Sequence, residues 1–295
     1  MNISPVSFKG LITVKSRKDK DSPWIEKTYK TRCGTIHYWI SDKVNTDIPT
    51  LVFLPGLTAD HRLFEKQVEY FEGKYNVFVW DAPGHAESWP FKFEFSLMDK
   101  ATWLYEILQV EQITKPILIG QSMGGYVCQC FVEKYPNAPK GVIIIDSAPL
   151  QRKFTTSIEM WLLKRMEPML NMFPWKLLVA SMAKQVAVSE YGKNLMREIM
   201  KTYSQNKKWY IQLAAHGYKI LAEAMENDLP YKITCPALII CGKQDKAGSC
   251  IRYCKAWHKE TGIPIEWIDN AGHNSNTDQP QIVNQLIEKL ADSLT

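Results

Sequence analysis

Short runs of apolar residues without a polar break recur along the chain: Leu51-Val52-Phe53-Leu54, Val77-Phe78-Val79-Trp80, Ile117-Leu118-Ile119, Val142-Ile143-Ile144-Ile145 and Ala237-Leu238-Ile239-Ile240. Each is too short to be a helix burying one stripe, and each suits a strand covered on both faces. Alternation over residues 34–40 predicts a half-buried strand. Weaker patterns add an opening strand at 8–14 and a late one at 264–268. Between these runs the period changes to that of a helix. Leu63, Val68 and Phe71 mark one over 60–72, Trp103, Leu104 and Leu108 mark another, and further helices fit 126–134, 249–259 and 279–294. Strands alternating with helices predict an α/β fold, with a mostly parallel central sheet and helices on both faces.

The alternation stops after Pro149. From 156 to 226 only helical periodicity is found, with one apolar face in Ile158, Trp161, Leu162, Met166 and Met169. A second face holds Leu195, Met196, Ile199, Met200 and Tyr203, and a third Tyr210, Leu213, Ala214, Gly217 and Leu221. Pro174 stands where a helix can begin. Such a stretch is longer than any ordinary connection. Residues 1–149 and 230–295 are therefore expected to form one core domain, and 150–229 a helical insertion following the strand that ends at Asp146.

Composition narrows the class without naming a function. With 45% hydrophobic and 23% charged residues, the 295-residue chain has the balance of a soluble globular protein large enough for a substantial core. The net charge of +5 is mild and scattered. The lysine-rich stretch at 15–20 reads as a solvated hairpin or loop, so no nucleic-acid partner is expected. Pro5, Lys9 and Lys15 interrupt any apolar leader, and no run approaches the roughly 18 residues of a membrane span. The seven cysteines include no C-x-x-C and no spacing typical of zinc sites. Reduced, mostly buried thiols in a cytoplasmic protein, with no metal and no cofactor, is the expectation.

The chemistry concentrates in Gly120-Gln121-Ser122-Met123-Gly124, set between the apolar run at 117–119 and a helix. A G-x-S-x-G between strand and helix is the nucleophile-elbow pattern, a turn so sharp that small residues must flank the serine. The same five letters also occur at helix starts that carry no chemistry, so the surroundings decide. A serine hydroxyl needs a base, usually an imidazole oriented by a carboxylate. Of six histidines, His273 follows the last strand in Asp269-Asn270-Ala271-Gly272-His273 and is the favoured base. Asp245, in Cys241-Gly242-Lys243-Gln244-Asp245, gives the order Ser…Asp…His associated with such elbows. Asp146, at the end of the strand after the elbow, is its competitor. Charge developing on a carbonyl oxygen needs N–H donors, for which the backbone of Met123 and of Leu57 is suited by position.

These motifs together resemble the α/β-hydrolase fold superfamily, of the capped serine hydrolase or esterase type. The likeness runs from about Gly34 to Leu294 through L-P-G-L, D-A-P-G-H-A-E-S, G-Q-S-M-G-G, I-I-D-S-A-P, C-G-K-Q-D and N-A-G-H. The resemblance implies Ser122 as nucleophile, Asp245 as acid and His273 as base, with Leu57 and Met123 as oxyanion-hole donors. Two departures bear on the pocket entrance: Pro55 stands where many members have histidine, and Ala86 where a second glycine is common. Serine at the elbow sets the chain apart from the haloalkane dehalogenase and epoxide hydrolase branches, which use aspartate. Eight of the eleven methionines fall between Met160 and Met225, which suits an adaptable apolar roof or simply a small helical layer. Trp161, Trp175, Trp209 and His216 are the residues of that layer expected to face the serine. The expected activity is hydrolysis of a small, largely apolar carboxylic ester through an acyl-enzyme on Ser122, with a small apolar acyl or aromatic molecule as substrate. A C–C bond hydrolase, acyltransferase, perhydrolase, peptidase or thioesterase shares the same motifs, as does a slow-turnover ligand receptor. Oligomeric state is not addressed by any of these signals.

Overall fold

A computed structural model describes residues 24–42, 44–45 and 47–295, so the strand expected at 8–14 and the lysines at 15–20 lie outside the described residues. In chain order the elements are β1 (Trp24–Lys30), β2 (Thr35–Ser41), β3 (Thr50–Leu54), α1 (Glu65–Phe71), β4 (Asn76–Trp80), α2 (Leu97–Val110), β5 (Ile117–Gln121), α3 (Met123–Lys134) and β6 (Gly141–Ile145). Helices α4 (Ser157–Leu163), α5 (Met166–Met172), α6 (Trp175–Val186), α7 (Glu190–Lys201) and α8 (Lys207–Glu226) follow. The chain then closes with β7 (Ala237–Gly242), α9 (Cys250–Thr261), β8 (Ile265–Ile268), α10 (Ser275–Asp278) and α11 (Pro280–Ser293).

The eight strands form one sheet in the order β1-β2-β4-β3-β5-β6-β7-β8. From β4 to β8 every neighbouring pair is parallel, whereas β1 and β2 run antiparallel at one edge. Every residue of β3, β4, β5 and β6 is buried, which explains their unbroken apolar sequences. Period two still sorts their side chains. Val52, Leu54, Phe78, Leu118, Val142 and Ile144 point towards α2 and α3. Leu51, Phe53, Val77, Val79, Ile117, Ile119, Ile143 and Ile145 point to the face packed by α1 and α11.

Several boundaries depart from the sequence pattern for local reasons. β1 carries no readable period because it is an edge strand, mostly half-buried. Polar contacts tie it down, with Lys27 on Glu111 at 2.6 Å and the Tyr29 hydroxyl on Glu106 at 2.8 Å. The helix expected over 60–72 opens as a tighter 3-10 turn, His61–Phe64, because the Asp60 side chain caps Arg62 N–H at 3.0 Å. The elbow helix starts three residues earlier than its apolar period, since Met-Gly-Gly carries no stripe to read.

In the insertion, the faces expected on α7 and α8 are buried, and Pro174 is the N-cap residue of α6. The face expected in residues 158–169 is not one helix face. A turn at 164–165 divides it between α4 and α5, and Ile158 is 72% exposed, Trp161 55% and Met169 44%. A seven-residue helix presents only about two turns. On α4 the inward positions are Met160, which is buried, and Leu163, packed against the core.

At the elbow, sheet and helix approach so closely that only glycine fits. A Cβ on Gly124 would sit 1.8 Å from the Leu54 carbonyl oxygen, and one on Gly120 would sit 2.4 Å from the Gly124 carbonyl group. Both obstacles are backbone and cannot swing aside. Gly124→Ala is therefore expected to destabilise the fold by about 3 kcal/mol or more. In thermal unfolding this would lower Tm by at least roughly 5 °C; an unchanged Tm would mean that this close approach does not exist.

Candidate active site

β5 ends at Gln121, and Ser122 turns the chain with φ 48° and ψ −115° before α3 begins. A non-glycine residue in that region is strained, and such strain persists only where the surroundings hold it. Here they do: Ser122 N–H donates to the Ile145 carbonyl at 2.9 Å, and the Ser122 carbonyl accepts from Gly125 N–H at 2.9 Å. The turn aims Ser122 Oγ at His273, whose Nε2 lies 2.8 Å away.

His273 follows β8, and its other ring nitrogen, Nδ1, is 2.9 Å from Asp245 Oδ2. A carboxylate can only accept there, so Nδ1 carries the hydrogen and Nε2 is left to accept from the Ser122 hydroxyl. Gln121 Nε2 donates to the His273 carbonyl at 2.7 Å and to Asn274 Oδ1 at 3.1 Å, fixing the loop beneath the ring. Asp245 is anchored through Oδ1, which accepts from Ala247 N–H at 2.7 Å. Burial opposes charge on the His273 ring, but the Asp245 carboxylate outweighs it by charge and hydrogen bond, with Asp146 adding to the same side. The net effect raises the imidazole above its ordinary pKa.

Asp146, the competing acid, has different partners. It too has positive φ, 48°, immediately after β6. Its Oδ1 accepts from Gly242 N–H at 2.7 Å and its Oδ2 from Ser275 N–H at 2.8 Å. Both bonds clamp backbone, one at the end of β7 and one just past His273. Complete burial and the nearby Asp245 charge push its carboxyl well above the usual carboxylate range. Asp146 thus braces the loop that Asp245 and His273 use, while Asp245 alone contacts the ring.

A cavity of about 420 Å³ opens over Ser122 and His273, within the range of small-molecule sites, roughly 300–1,000 Å³. Its floor includes Gly56, Leu57, Gln121, Met123 and Tyr126, and its walls come largely from the helical insertion. Leu162, Leu163, Met182, Val186, Met196, Tyr218, Leu221 and Met225 make that wall mostly apolar. Leu57 and Met123 both border Ser122 there, and Met123, as the first residue of α3, has an N–H with no acceptor inside its helix.

None of the four insertion residues expected to face the serine lines this cavity. Trp161 is on the outer surface under the Arg165 guanidinium, 4.7 Å from its ring. Trp175 packs edge-on against Tyr210. Trp209 stacks on Trp89 at 4.8 Å and donates from its indole nitrogen to the Gly84 carbonyl at 2.9 Å. His216 lies against Phe95, ring centres 4.5 Å apart, where burial lowers its pKa to about 4. Large rings fill the seam between insertion and core, and the thinner Leu, Met and Tyr side chains leave space over the serine.

The other histidines have local partners. His61 bonds Asp81 at 2.9 Å, His37 bonds Glu26 at 2.9 Å, and His258 bonds the Ile263 carbonyl at 2.7 Å. His85 is fully buried, with Nδ1 3.1 Å from the Pro83 carbonyl oxygen. Three residues beyond the sequence reading belong to the site. Gln121 was inside the motif but silent as to role. Glu159 and Tyr253 meet across the cavity rim at 2.5 Å, joined from distant segments that no local pattern links. Beside Asp245, the sulfurs of Cys241, Cys250 and Cys254 lie within 4.8 Å of one another.

Comparison with known proteins gives the family. The chain is 24% identical over 246 residues to 3-oxoadipate enol-lactonase 2 of Acinetobacter baylyi, covering 82% of this chain and 88% of that one. It is 22% identical over 257 residues to 2-(acetamidomethylene)succinate hydrolase of Mesorhizobium japonicum, covering 83% and 88%. Among solved structures, an esterase from Thermogutta terrifontis superposes with a TM-score of 0.70 at 20% identity, over 92% of this chain and 99% of that one, a likeness of fold. The profile of the alpha/beta hydrolase fold matches residues 49–280. With that match over most of its length, the chain belongs to the alpha/beta hydrolase fold family and is a hydrolase.

Proposed function

We propose that the protein is a serine hydrolase cleaving a small, largely apolar carboxylic ester through an acyl-enzyme on Ser122. The observation carrying this reading is the unbroken relay from Ser122 Oγ to His273 Nε2, and from His273 Nδ1 to Asp245, at the floor of an apolar cavity. His273 takes the Ser122 proton as Oγ attacks the ester carbon, and returns it to the departing alkoxide oxygen. Asp245 stabilises the imidazolium formed between those steps. The backbone N–H groups of Leu57 and Met123 receive the charge on the carbonyl oxygen. Water then repeats the sequence on the acyl-enzyme, with His273 again the base. Residues 150–229 act as a cap that keeps bulk water from the acyl group. All the described cysteines are free thiols, which fits a reducing, cytoplasmic setting.

A second reading concerns the acid part of the substrate. Among the described residues lining the cavity, Lys246 is the only Lys or Arg. Glu159, on the same rim, is occupied. Burial opposes its charge, yet hydrogen bonds led by Tyr253 and followed by Thr156 and Ser249 outweigh that and hold its pKa at about 2. A free carboxylate on the substrate would therefore find Lys246. Both curated relatives carry names of dicarboxylic acid derivatives, which supports a lactone or half-ester.

Ser122→Ala is expected to lower kcat at least about 10³-fold while leaving the circular dichroism spectrum unchanged; a variant that keeps most of its turnover would remove Ser122 from the mechanism. Only neutral His273 can accept a proton, so kcat/KM should fall as pH drops through its raised pKa, with a midpoint above the ordinary value of about 6.5. A profile flat to pH 5 would contradict this. Asp245→Asn should lower kcat by about 10⁴-fold and move the acid limb to lower pH. Asp146→Asn, which leaves one backbone N–H without an acceptor, should chiefly lower stability by about 1–3 kcal/mol; the opposite ranking of the two on rate would exchange their roles. For the second reading, Lys246→Met should raise KM for a half-ester of a dicarboxylic acid roughly fivefold, a modest figure because the ammonium is exposed. The neutral ester of equal length should be unaffected, and equal effects on both would leave the apolar ester alone.

A further inference from the structure

The end of β7 and the start of α9 bring together thiols that are far from zinc-like in sequence spacing. Cys241 is in β7, Cys250 opens α9, and Cys254 lies one helical turn further on. All three are buried, and their sulfurs lie within 4.8 Å of one another, with Cys250 and Cys254 at 3.8 Å. Sulfurs bound to a zinc-sized ion at about 2.3 Å stand roughly 3.8–4.0 Å apart. The pair on α9 already has that separation, and the strand supplies the third sulfur without a change in fold. Burial alone accounts for one thiol at a time, because a free cysteine packs as a small apolar side chain. It does not account for three sulfurs converging on one point beside two carboxylates.

The surroundings favour a cation. Asp245, Cys250 and His273 offer ligand atoms within 4.8 Å of one another, as do Asp146, Cys241 and Asp245. Cys250 and the adjoining Ser249 also line the cavity, which gives a route to the cluster from solvent.

We propose that Cys241, Cys250 and Cys254 form a three-thiolate site for a thiophilic divalent ion, entered from the cavity past Cys250. Binding exchanges three S–H bonds for three metal–sulfur bonds and releases three protons to solvent, with no change of oxidation state. The complex carries one net negative charge where the neutral thiols and the ion carried two positive. Asp245, which has a ligand oxygen within 4.8 Å of Cys250 and of Cys241, would supply a fourth ligand. An oxygen of Asp245 drawn to the ion leaves the His273 ring, so the loaded protein loses its relay. That last consequence rests on the serine hydrolase reading, whereas the metal site does not.

The full-length protein, kept reduced with a phosphine, should be titrated with Cd²⁺ alone. The thiolate-to-cadmium charge-transfer absorption and the intact mass under native conditions are then followed. One cadmium per chain is expected, with an absorption step matching three thiolates. Cys254→Ser and Cys241→Ser should each weaken binding about 100-fold or more, as loss of a ligand exceeds the 10- to 100-fold typical of supporting groups. Cys33→Ser and Cys235→Ser, outside the cluster, should bind as the unaltered chain does. Absence of saturable binding in the unaltered chain, or binding undiminished in both the Cys241 and Cys254 variants, would overturn the site. The unaltered chain supplies a test free of folding effects: cadmium should protect Cys241, Cys250 and Cys254 together from alkylation, and protection of a different set would also overturn the proposal. Should ester turnover never be found, absorption and mass would still decide the metal site. Where turnover is present, loading should reduce it at least tenfold and EDTA should restore it. Full activity with cadmium bound would refute the capture of Asp245.

Discussion

The close backbone approach of Gly124 to the Leu54 carbonyl sets the geometry of the candidate active site. With no side chain between them, α3 can begin directly above the carboxyl ends of β3 and β5. The residue at the turn then has one conformation open to it, with φ at 48°. The strain in that conformation is offset by hydrogen bonds on both sides of Ser122, to Ile145 and from Gly125. A hydroxyl on a flexible loop would sample many directions, whereas this one is pinned by sheet and helix together. Gly56 extends the same constraint to the facing loop. A Cβ there would meet the Gln121 side chain at 2.3 Å, and Gln121 is what holds the His273 loop.

The second constraint is electrostatic. Two buried carboxylates, Asp146 and Asp245, stand beside one imidazole, and their partners separate their roles. Asp146 spends both oxygens on backbone N–H groups, Asp245 one on backbone and one on the ring. Like charges this close cannot both ionise freely in a buried site. Burial, with the Asp245 charge beside it, pushes the Asp146 carboxyl well above the usual carboxylate range. The clamp and the candidate relay partner are therefore distinguished by which donors reach them, although each follows a parallel strand by only a few residues.

Legibility in the sequence followed the range of the interactions concerned. β3, β4, β5 and β6 could be read almost to the residue, because a strand buried on both faces must be apolar throughout. Ser122, Asp245 and His273 could be read as a set because each follows a strand end, and the parallel sheet brings strand ends to one edge. β1 escaped, since an edge strand held by Glu106 and Glu111 needs no apolar period. Asp146 against Asp245 stayed open in sequence, because both sit in the same kind of position and differ only in which donors reach them. Trp161, Trp175, Trp209 and His216 were drawn to the site by their chemistry, but side-chain type does not encode which face of a short helix is turned inward. On α4 a rotation of one position separates Trp161, under Arg165, from Leu162 and Leu163, in the cavity wall.

The methionines sharpen that point. Met182 and Met196, from α6 and α7, and Met225, from α8, contribute to the wall over Ser122, while Met172 is 83% exposed and Met169 44%. Composition of the insertion is therefore not the property that shapes the cavity. What matters is that the large rings are consumed in the seam, with Trp209 on Trp89 and His216 on Phe95, leaving flexible side chains to close the space above the serine. Unbranched thioethers adjust their rotamers with little strain, so the wall can change shape while the Ser122 turn below stays fixed. The chain thus places its rigid contacts where bonds would be made and its adjustable ones where a substrate would be sorted. The cysteine cluster shows the same economy of position. One turn of α9 and one strand end bring three sulfurs together that are dispersed in sequence, and they do so against the loop that carries Asp245.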